Sequence, residues 1–130
     1  MSEPCQHSVL IIDDEKYVAE LIADIAIEFG MAISISLHFD DVLPAIDKFP
    51  PTIIFLDMNL GDHSGTEVLD MLANTSNEAK IILMSGMDST ALETARQKAE
   101  VLGLNLEPPL SKPFQLEDVD ACLQRALEND

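Results

Sequence analysis

The sequence predicts an α/β fold: a doubly wound, parallel, five-stranded sheet with helices on both faces. Five short apolar runs alternate along the chain with amphipathic segments. Ile and Val are frequent in the first four runs, which is typical of strands buried on both faces of a parallel sheet. The five predicted strands are Val9–Ile12, Ile33–Leu37, Ile53–Leu56, Ile81–Met84 and Leu104–Leu106. Short connections and right-handed crossovers then give a (βα)5 unit, for which the common strand order is 2-1-3-4-5.

Helical periodicity fills the segments between the predicted strands. The first helix has an apolar stripe that ends at Gly30, a residue typical of helix C-termini. The members of this stripe are Val18, Leu21, Ile22, Ile25, Ala26 and Phe29. Pro44 suits the first turn of a short second helix, because its missing N–H costs little there.

Two capping-box sequences predict where the third and fourth helices begin. In Ser64–Glu67 and Thr90–Glu93, a hydroxyl residue is followed three positions later by Glu. Both side chains of such a box bond to backbone amides that the helix start leaves unpaired. The last helix has an apolar stripe formed by Val119, Cys122, Leu123, Ala126 and Leu127. Cys122 is therefore predicted to fill the core rather than to act as a reactive thiol.

The fifth strand is the weakest of the predicted elements. Pro108 and Pro109 follow it directly and remove two backbone donors from the sheet ladder. Proline is confined to edge strands and bulges. The fifth strand is therefore predicted to lie at an edge and to be short.

Length and charge limit the classes of function. A chain of 130 residues suits one domain, 1–130, with a core from about residue 8 to 128. Seven basic against 24 acidic residues give a net charge of −17, which disfavours direct binding to nucleic acid or anionic membranes. No apolar run reaches the roughly 20 residues of a membrane helix, and the N-terminus lacks a signal-peptide pattern. A cytoplasmic protein is expected, with Cys5 and Cys122 as free thiols in preference to a disulfide.

Polar residues with complementary chemistry follow four of the predicted strands. Strand 1 runs into Asp13 and Asp14, and strand 3 runs into Asp57. Strand 4 ends at Ser85, and Lys112 follows strand 5. In the order 2-1-3-4-5 these strands are consecutive neighbours, so their carboxyl ends bring the five side chains to one rim, where ligands bind in such sheets.

This group of residues suits phosphoryl transfer. Asp57 is placed to act as a carboxylate nucleophile. Three clustered carboxylates repel one another unless a hard cation lies between them, and Mg²⁺ prefers oxygen ligands of this kind. Ser85 is a hydrogen-bond donor for one phosphoryl oxygen, and Lys112 is a cationic partner for another.

Each of these residues also has a structural interpretation. Asp14 alone is typical of an N-cap, and Asp57 alone fits a turn after a strand. Ser85 alone fits a turn or cap, and Lys112 alone fits a solvated side chain. All four interpretations would have to hold together, so the convergence at one rim favours the site. His63, near the mouth of the predicted site, is expected to be an exposed loop residue rather than a catalytic one.

The order of these motifs resembles the receiver domains of two-component response regulators. The resemblance runs from Val9 to about Leu127 and rests on VLIIDDE, IIFLDMNLGDHSG, ILMSG and LSKPF. It implies the flavodoxin-like receiver fold. It also implies phosphorylation by a histidine kinase or phosphotransfer protein and signalling to an output domain or downstream partner.

The resemblance also implies a role for each site residue. Asp57 would be the phosphoacceptor, with Ser85 and Lys112 contacting the phosphoryl group. The implied Mg²⁺ ligands are Asp13, Asp14, Asp57 and the backbone carbonyl of Asn59. The Lys112–Pro113 peptide bond is implied to be cis.

One departure from the family concerns signal output. Members generally carry Tyr or Phe three residues before the lysine, and here that position is Pro109. An aromatic rotamer switch is therefore not expected. Output is predicted to use the Ser85–Ser89 loop and the fourth helix, since Gly86 gives that loop freedom. The face formed by the fourth helix, fifth strand and fifth helix is a possible homodimer surface.

Three other functions are considered. A haloacid-dehalogenase-type phosphohydrolase also uses an Asp after a strand, but that family has a second Asp two residues later, where this chain has Asn59. A receiver-shaped interaction module that is never phosphorylated is favoured by Pro109 and opposed by the intact acidic set. A flavin binder is disfavoured, because Asp13 and Asp14 would repel its phosphate.

Overall fold

The computed structural model describes residues 7–75, 78–86 and 89–128. Its strands are β1 (Ser8–Ile12), β2 (Ala32–Ser36), β3 (Ile53–Asp57), β4 (Asn59–Leu60), β5 (His63–Ser64), β6 (Lys80–Ser85), β7 (Asn105–Leu106) and β8 (Leu110–Ser111). Its helices are α1 (Lys16–Glu28), α2 (Val42–Lys48), α3 (Gly65–Ala73), α4 (Ser89–Leu102) and α5 (Leu116–Glu128), and a 3-10 turn, Phe39–Asp41, precedes α2. None of the described helices is long and apolar enough to cross a membrane.

The main sheet is parallel and has the predicted strand order. β2, β1, β3, β6 and β7 are neighbours in that sequence, and β8 also pairs with β6. Ile12 of β1 lies opposite Leu56 of β3, and Asp57 lies opposite Met84 of β6. The strands therefore end level with one another, and the residues that follow them meet at one rim.

The sheet is buried on both faces because its side chains alternate between two apolar layers. Val9 and Ile11 of β1 face one cluster of buried residues, which includes side chains of α1 and α5. Leu10 and Ile12 face a second cluster, which includes side chains of α2, α3 and α4. Burying a side chain of this size contributes about 1.5–3 kcal/mol, so the two layers hold β1 firmly behind the rim.

The helix predictions are confirmed in their positions, but the two predicted capping boxes are wrong. α1 ends as predicted before Gly30, which has φ of 78°. Ser64 is the N-cap residue of α3, but its side chain makes no capping hydrogen bond. Its hydroxyl bonds to that of Thr66, 2.7 Å away, so the capping box Ser64–Glu67 is wrong.

The second predicted capping box is also wrong. Helix α4 begins at Ser89, which places Thr90 inside the helix rather than at its N-cap. Glu93 instead bonds to Arg96, with 2.9 Å between Oε1 and Nη2. The Glu93 carboxylate pairs with an oppositely charged side chain one turn away.

The fifth predicted strand is split in two. β7 and β8 each contain two residues, and both pair with β6. Pro108 and Pro109 lie between them, where they offer no N–H to the ladder. The Glu107 N–H still donates to the Ile81 carbonyl at 2.9 Å, so the chain stays beside β6. The predicted edge position is confirmed, and the single strand is replaced by two short ones.

Cys122 lies in the core, as its place in the stripe of the last helix predicts. Its side chain is buried, and burial raises the pKa of its thiol. Both features are those of a structural cysteine rather than a reactive one. Cys5, the other half of the disulfide considered above, lies outside the described residues.

Candidate functional site

The rim at the carboxyl ends of β1 and β3 brings three predicted carboxylates together. One carboxylate oxygen each of Asp13, Asp14 and Asp57 lies within 4.8 Å of the others. Asp13 and Asp57 are buried, with 0% and 6% exposure, whereas Asp14 is exposed. Two of the three negative charges are therefore shielded from water, and the third lies at the mouth of the site.

Backbone groups fix the two buried carboxylates. Asp13 Oδ1 accepts the N–H of Glu15 at 2.8 Å, and Asp57 Oδ1 accepts the N–H of Asn59 at 3.2 Å. The Asp13 N–H donates to the Ser36 carbonyl at 3.2 Å, which extends the β1–β2 pairing by one residue. One oxygen of each carboxylate is thus held by the chain, and the other is directed to the site.

Lys112 occupies the space between the buried carboxylates. Its Nζ lies 2.9 Å from Asp13 Oδ2, 3.3 Å from Asp57 Oδ2 and 3.7 Å from Glu15 Oε1. Its N–H donates to the Ser85 carbonyl at 2.7 Å, so the end of β6 sets its position. The solvated-lysine interpretation is wrong, since Lys112 is only 19% exposed. The predicted cis peptide bond between Lys112 and Pro113 is confirmed.

Burial and the charge of Lys112 have opposite effects on the pKa of Asp57. Desolvation raises the pKa of Asp57 to about 6, and the neighbouring charge of Asp13 adds to the effect. The bond from Asn59 and the charge of Lys112 act in the opposite direction and do not cancel it. Burial also opposes the charge on Lys112, but its contacts with Asp13 and Asp57 outweigh burial and raise the pKa of Lys112. The site thus holds a charged ammonium beside two carboxylates that repel each other.

Ser85 lies at the same rim. It is the last residue of β6, is 7% exposed, and pairs in register with Ser111 of β8. Met84, the residue before it, pairs with Asp57. The sheet therefore places the hydroxyl one residue beyond the position opposite Asp57.

The capping interpretation of Asp14 is wrong. Glu15, not Asp14, is the N-cap residue of α1, and its side chain makes no capping hydrogen bond. Asp14 instead contributes an oxygen to the carboxylate cluster. Its position is therefore better explained by the site than by the helix.

A small hairpin beside the site was not predicted from the sequence. β4 and β5 form an antiparallel pair joined by Gly61 and Asp62. Gly61 has φ of 66°, which fits the first central position of a type II′ turn. A Gly-X pair between two short segments is the signal that could have found it, but the strands are only two residues long.

His63 lies in this hairpin rather than in an irregular loop. Its ring stacks on Phe39, with centroids 4.0 Å apart and 10° between the planes. Its Nδ1 lies 2.6 Å from Glu67 Oε2. The side chain is 40% exposed, so the expected exposure is only partly correct.

The donor set fits a hard divalent cation. Three carboxylates and nearby backbone carbonyls are oxygen donors, and Mg²⁺ binds such groups while keeping several waters. The residues described around the cluster supply oxygen rather than sulfur or imidazole ligands. The mutual repulsion of Asp13 and Asp57 is a second reason to expect a cation here.

Comparison with known proteins identifies the family. The family model described as the response regulator receiver domain matches residues 9–124 of the sequence. The chain belongs to this family. It is 28% identical over 124 residues to the nitrogen assimilation regulatory protein NtrX of Azorhizobium caulinodans, covering 94% of the chain and 26% of that protein. It is 31% identical to the sensory transduction protein LytT of Bacillus anthracis, covering 90% and 46%.

Solved receiver structures have the same fold. The receiver domain of NtrX from Brucella abortus superposes with a TM-score of 0.81 at 25% identity, covering 95% of this chain and all of that one. A response regulator from Colwellia psychrerythraea gives 0.79 at 27% identity, covering 97% and 100%. The chain spans about a quarter to a half of the length of the first curated relatives that it matches.

The face around Pro109 carries this proline at the position for which the resemblance implies an aromatic residue. A groove of about 390 Å³ lies between α4 and the break in the fifth strand. It is lined by Leu83, Leu92, Arg96, Glu100, Leu104, Leu106, Glu107, Pro108 and Pro109. No aromatic side chain is among these lining residues, in agreement with the departure noted from the sequence.

Proposed function

We propose that this receiver domain accepts a phosphoryl group on Asp57 from a histidine kinase or a phosphotransfer protein. The observation that supports it most is the convergence of three carboxylates within 4.8 Å, with Lys112 bonded to two of them. Single turns or caps do not explain such an arrangement, because the residues come from the ends of three separate strands. Phosphoryl transfer needs positioning and charge stabilisation, and the rim supplies both.

The proposed step uses one oxygen of Asp57. That oxygen attacks the phosphorus of a phosphohistidine; a P–O bond forms, the P–N bond breaks, and the departing imidazole nitrogen takes a proton. Lys112 pairs with one phosphoryl oxygen, and the Ser85 hydroxyl donates to another. The Asn59 N–H holds the other oxygen of Asp57, so the carboxylate is oriented before the reaction.

The proposed Mg²⁺ ligands are Asp13, Asp14, Asp57 and the backbone carbonyl of Asn59. When bound, Mg²⁺ would neutralise charge that develops on the phosphoryl oxygens. Exposed Asp14 stands at the mouth, and buried Asp13 lies behind it. The carboxylates would hold the metal, and Lys112, which contacts Asp13 and Asp57 in this structure, would pair with the phosphoryl group.

The remaining inferences concern the domain and its partners. Receiver domains of response regulators are not conventional enzymes, and we infer that the only reactions catalysed here are phosphorylation and dephosphorylation of Asp57. We also infer one domain over residues 1–130, an output domain or downstream partner, and a cytoplasmic location. The α4–β8–α5 face is a proposed homodimer surface. Asn59 and the receiver-family match speak against the phosphohydrolase alternative.

Intact-mass analysis after incubation with acetyl phosphate and Mg²⁺ tests the proposal. The wild type should gain the mass of one phosphoryl group, and Asp57→Asn should gain none. Asp62→Asn is the matched control, because Asp62 is an exposed carboxylate in the neighbouring hairpin. Equal labelling of wild type and Asp57→Asn would contradict the assignment. Absence of labelling in the wild type would support the interaction-module alternative that Pro109 favours.

A further inference from the structure

We propose that His63 is a positioning residue for the backbone carbonyl of Asn59. The proposal rests on the proposed function, in which that carbonyl is a Mg²⁺ ligand. His63 lies four residues beyond Asn59, on the opposite strand of the β4–β5 hairpin. It acts through the hairpin and does not itself touch the metal or the phosphoryl group.

The hairpin ladder directs the Asn59 carbonyl toward the site. Hydrogen-bonded and non-hydrogen-bonded pairs alternate in an antiparallel ladder. The Gly65 N–H donates to the Met58 carbonyl at 2.9 Å, and the two-residue turn closes between Leu60 and His63. The pair between them, Asn59 with Ser64, is therefore the non-hydrogen-bonded pair, whose N–H and C=O groups point away from the partner strand.

The observed bond of Asn59 agrees with this alternation. Its N–H donates to Asp57 Oδ1 rather than across the hairpin. The N–H and C=O of one residue in a strand point to the same side of the ladder. The Asn59 carbonyl therefore faces the same side as Asp57, where the carboxylate cluster lies.

The ladder of the hairpin is too short to hold this register alone, although Leu60 of β4 also packs into the core. Each strand has two residues, and an isolated two-stranded hairpin is at best marginally stable. His63 adds two contacts from outside the hairpin. Its ring stacks on Phe39 of the 3-10 turn, and its Nδ1 contacts Glu67 in the first turn of α3.

These contacts fix the hairpin from both sides. Phe39 packs against the core layer beneath α2 and α3, so the surface on which His63 stacks is itself held in place. The turn between the strands also approaches the site, since a Cβ at Gly61 would lie 4.0 Å from Asp14 Oδ2. A shift of the hairpin would therefore move Asn59 and change the opening above Asp14 together.

Isothermal titration of Mg²⁺ into the unphosphorylated chain tests this role. His63→Ala should raise the Kd by about threefold to tenfold, at or below the loss found when partners of metal ligands are removed. His63→Phe keeps the ring stack and should lie between His63→Ala and the wild type. His38→Ala is the matched control, because His38 is an exposed histidine next to Phe39, and its Kd should equal that of the wild type.

Amide hydrogen exchange in metal-free buffer gives a readout that does not depend on Mg²⁺. The Leu60 amide should exchange at least about threefold faster in His63→Ala, because the hairpin opens more often. Unchanged exchange, or faster exchange with an unchanged Kd, would overturn the proposal. Equal Mg²⁺ binding by wild type and Asp57→Asn would instead contradict the proposed function, and exchange would then show only whether His63 holds the hairpin.

Discussion

Two regions of this receiver domain differ in the contacts that they make. One is the rim at the carboxyl ends of the strands, and the other is the α4 face, which consists of α4 and the groove beside Pro109. At the rim, Lys112 is in direct contact with both Asp13 and Asp57. The α4 face lacks the aromatic residue and has a groove beside Pro109 instead. The comparison shows that buried charges are concentrated at the rim, whereas the α4 face carries an open groove.

The rim and the α4 face differ in the kind of contact that each makes. The rim depends on buried charges, for which the loss of one partner is costly. The α4 face has an open groove lined by six apolar and three charged side chains, where a single substitution leaves no buried charge unpaired. The first region should therefore respond sharply to single substitutions and the second only weakly.

Lys112→Met should have the largest effect on stability. It would leave Asp13 and Asp57 buried without their cation, at a cost of about 3 kcal/mol in metal-free buffer. Urea unfolding in EDTA at pH 7.5 measures this. Lys98→Met is the matched control, because Lys98 pairs with Asp70 on the surface and such pairs contribute about 0–1 kcal/mol. Equal losses for the two variants would break the distinction between the buried rim and the surface.

Asp57→Asn should be more stable than the wild type in EDTA, by about 1 kcal/mol or more at pH 7.5. The folded chain raises the pKa of Asp57 from 3.8 to about 6, so folding favours the protonated carboxyl. That contribution is complete below pH 3.8 and is lost as the pH rises through about 6. The advantage of Asp57→Asn should therefore grow between pH 4.5 and pH 7.5.

The same unfolding series separates repulsion from helix capping at Asp14. Asp14→Ala should gain less than Asp57→Asn, because Asp14 is exposed and its charge is better screened. An Asp14→Ala variant less stable than the wild type in EDTA would show that the clustered-charge account of Asp14 is wrong. Parallel stability curves for wild type and Asp57→Asn across this pH range would contradict the buried-charge account.

The smallest expected effect concerns transmission to α4. Beryllofluoride with Mg²⁺ should shift the amide NMR signals of Gly86 and residues 89–102, because Ser85 joins the site to this segment. Residues 87 and 88 of the predicted signalling loop lie outside the described residues. Pro109→Tyr restores an aromatic side chain and should enlarge the α4 shifts without abolishing labelling of Asp57. Shifts confined to the immediate surroundings of Asp57 would show that α4 is not part of the route.

The sequence predicted the features that depend on regular alternation. Buried strands and apolar stripes repeat over many residues, so the sheet order and the rim followed from Ile53–Leu56 and its counterparts. The capping boxes were wrong because the Ser64 hydroxyl bonds to Thr66 and because α4 begins one residue before Thr90. The hairpin was missed because two residues per strand carry too little periodicity to predict it.

The site was predictable for a related reason. Parallel strands end at the same edge, so residues placed after them along the chain become neighbours in space. The sequence did not indicate the contact between His63 and Phe39, because 24 residues separate them and the hairpin and the 3-10 turn are neighbours only in the folded chain. Nor did it reveal the split of the fifth strand, where the second ladder segment resumes beyond Pro109.

Chemical mapping of the modified residue tests the central claim most directly. After incubation with acetyl phosphate and Mg²⁺, borohydride reduces an aspartyl phosphate to an alcohol with release of phosphate, so a phosphorylated Asp57 becomes homoserine. Peptide mass spectrometry should then find homoserine at position 57 and unmodified Asp at positions 13, 14 and 62. Homoserine at Asp14 or Asp62 with Asp57 intact would contradict the assignment of Asp57 as the phosphoacceptor.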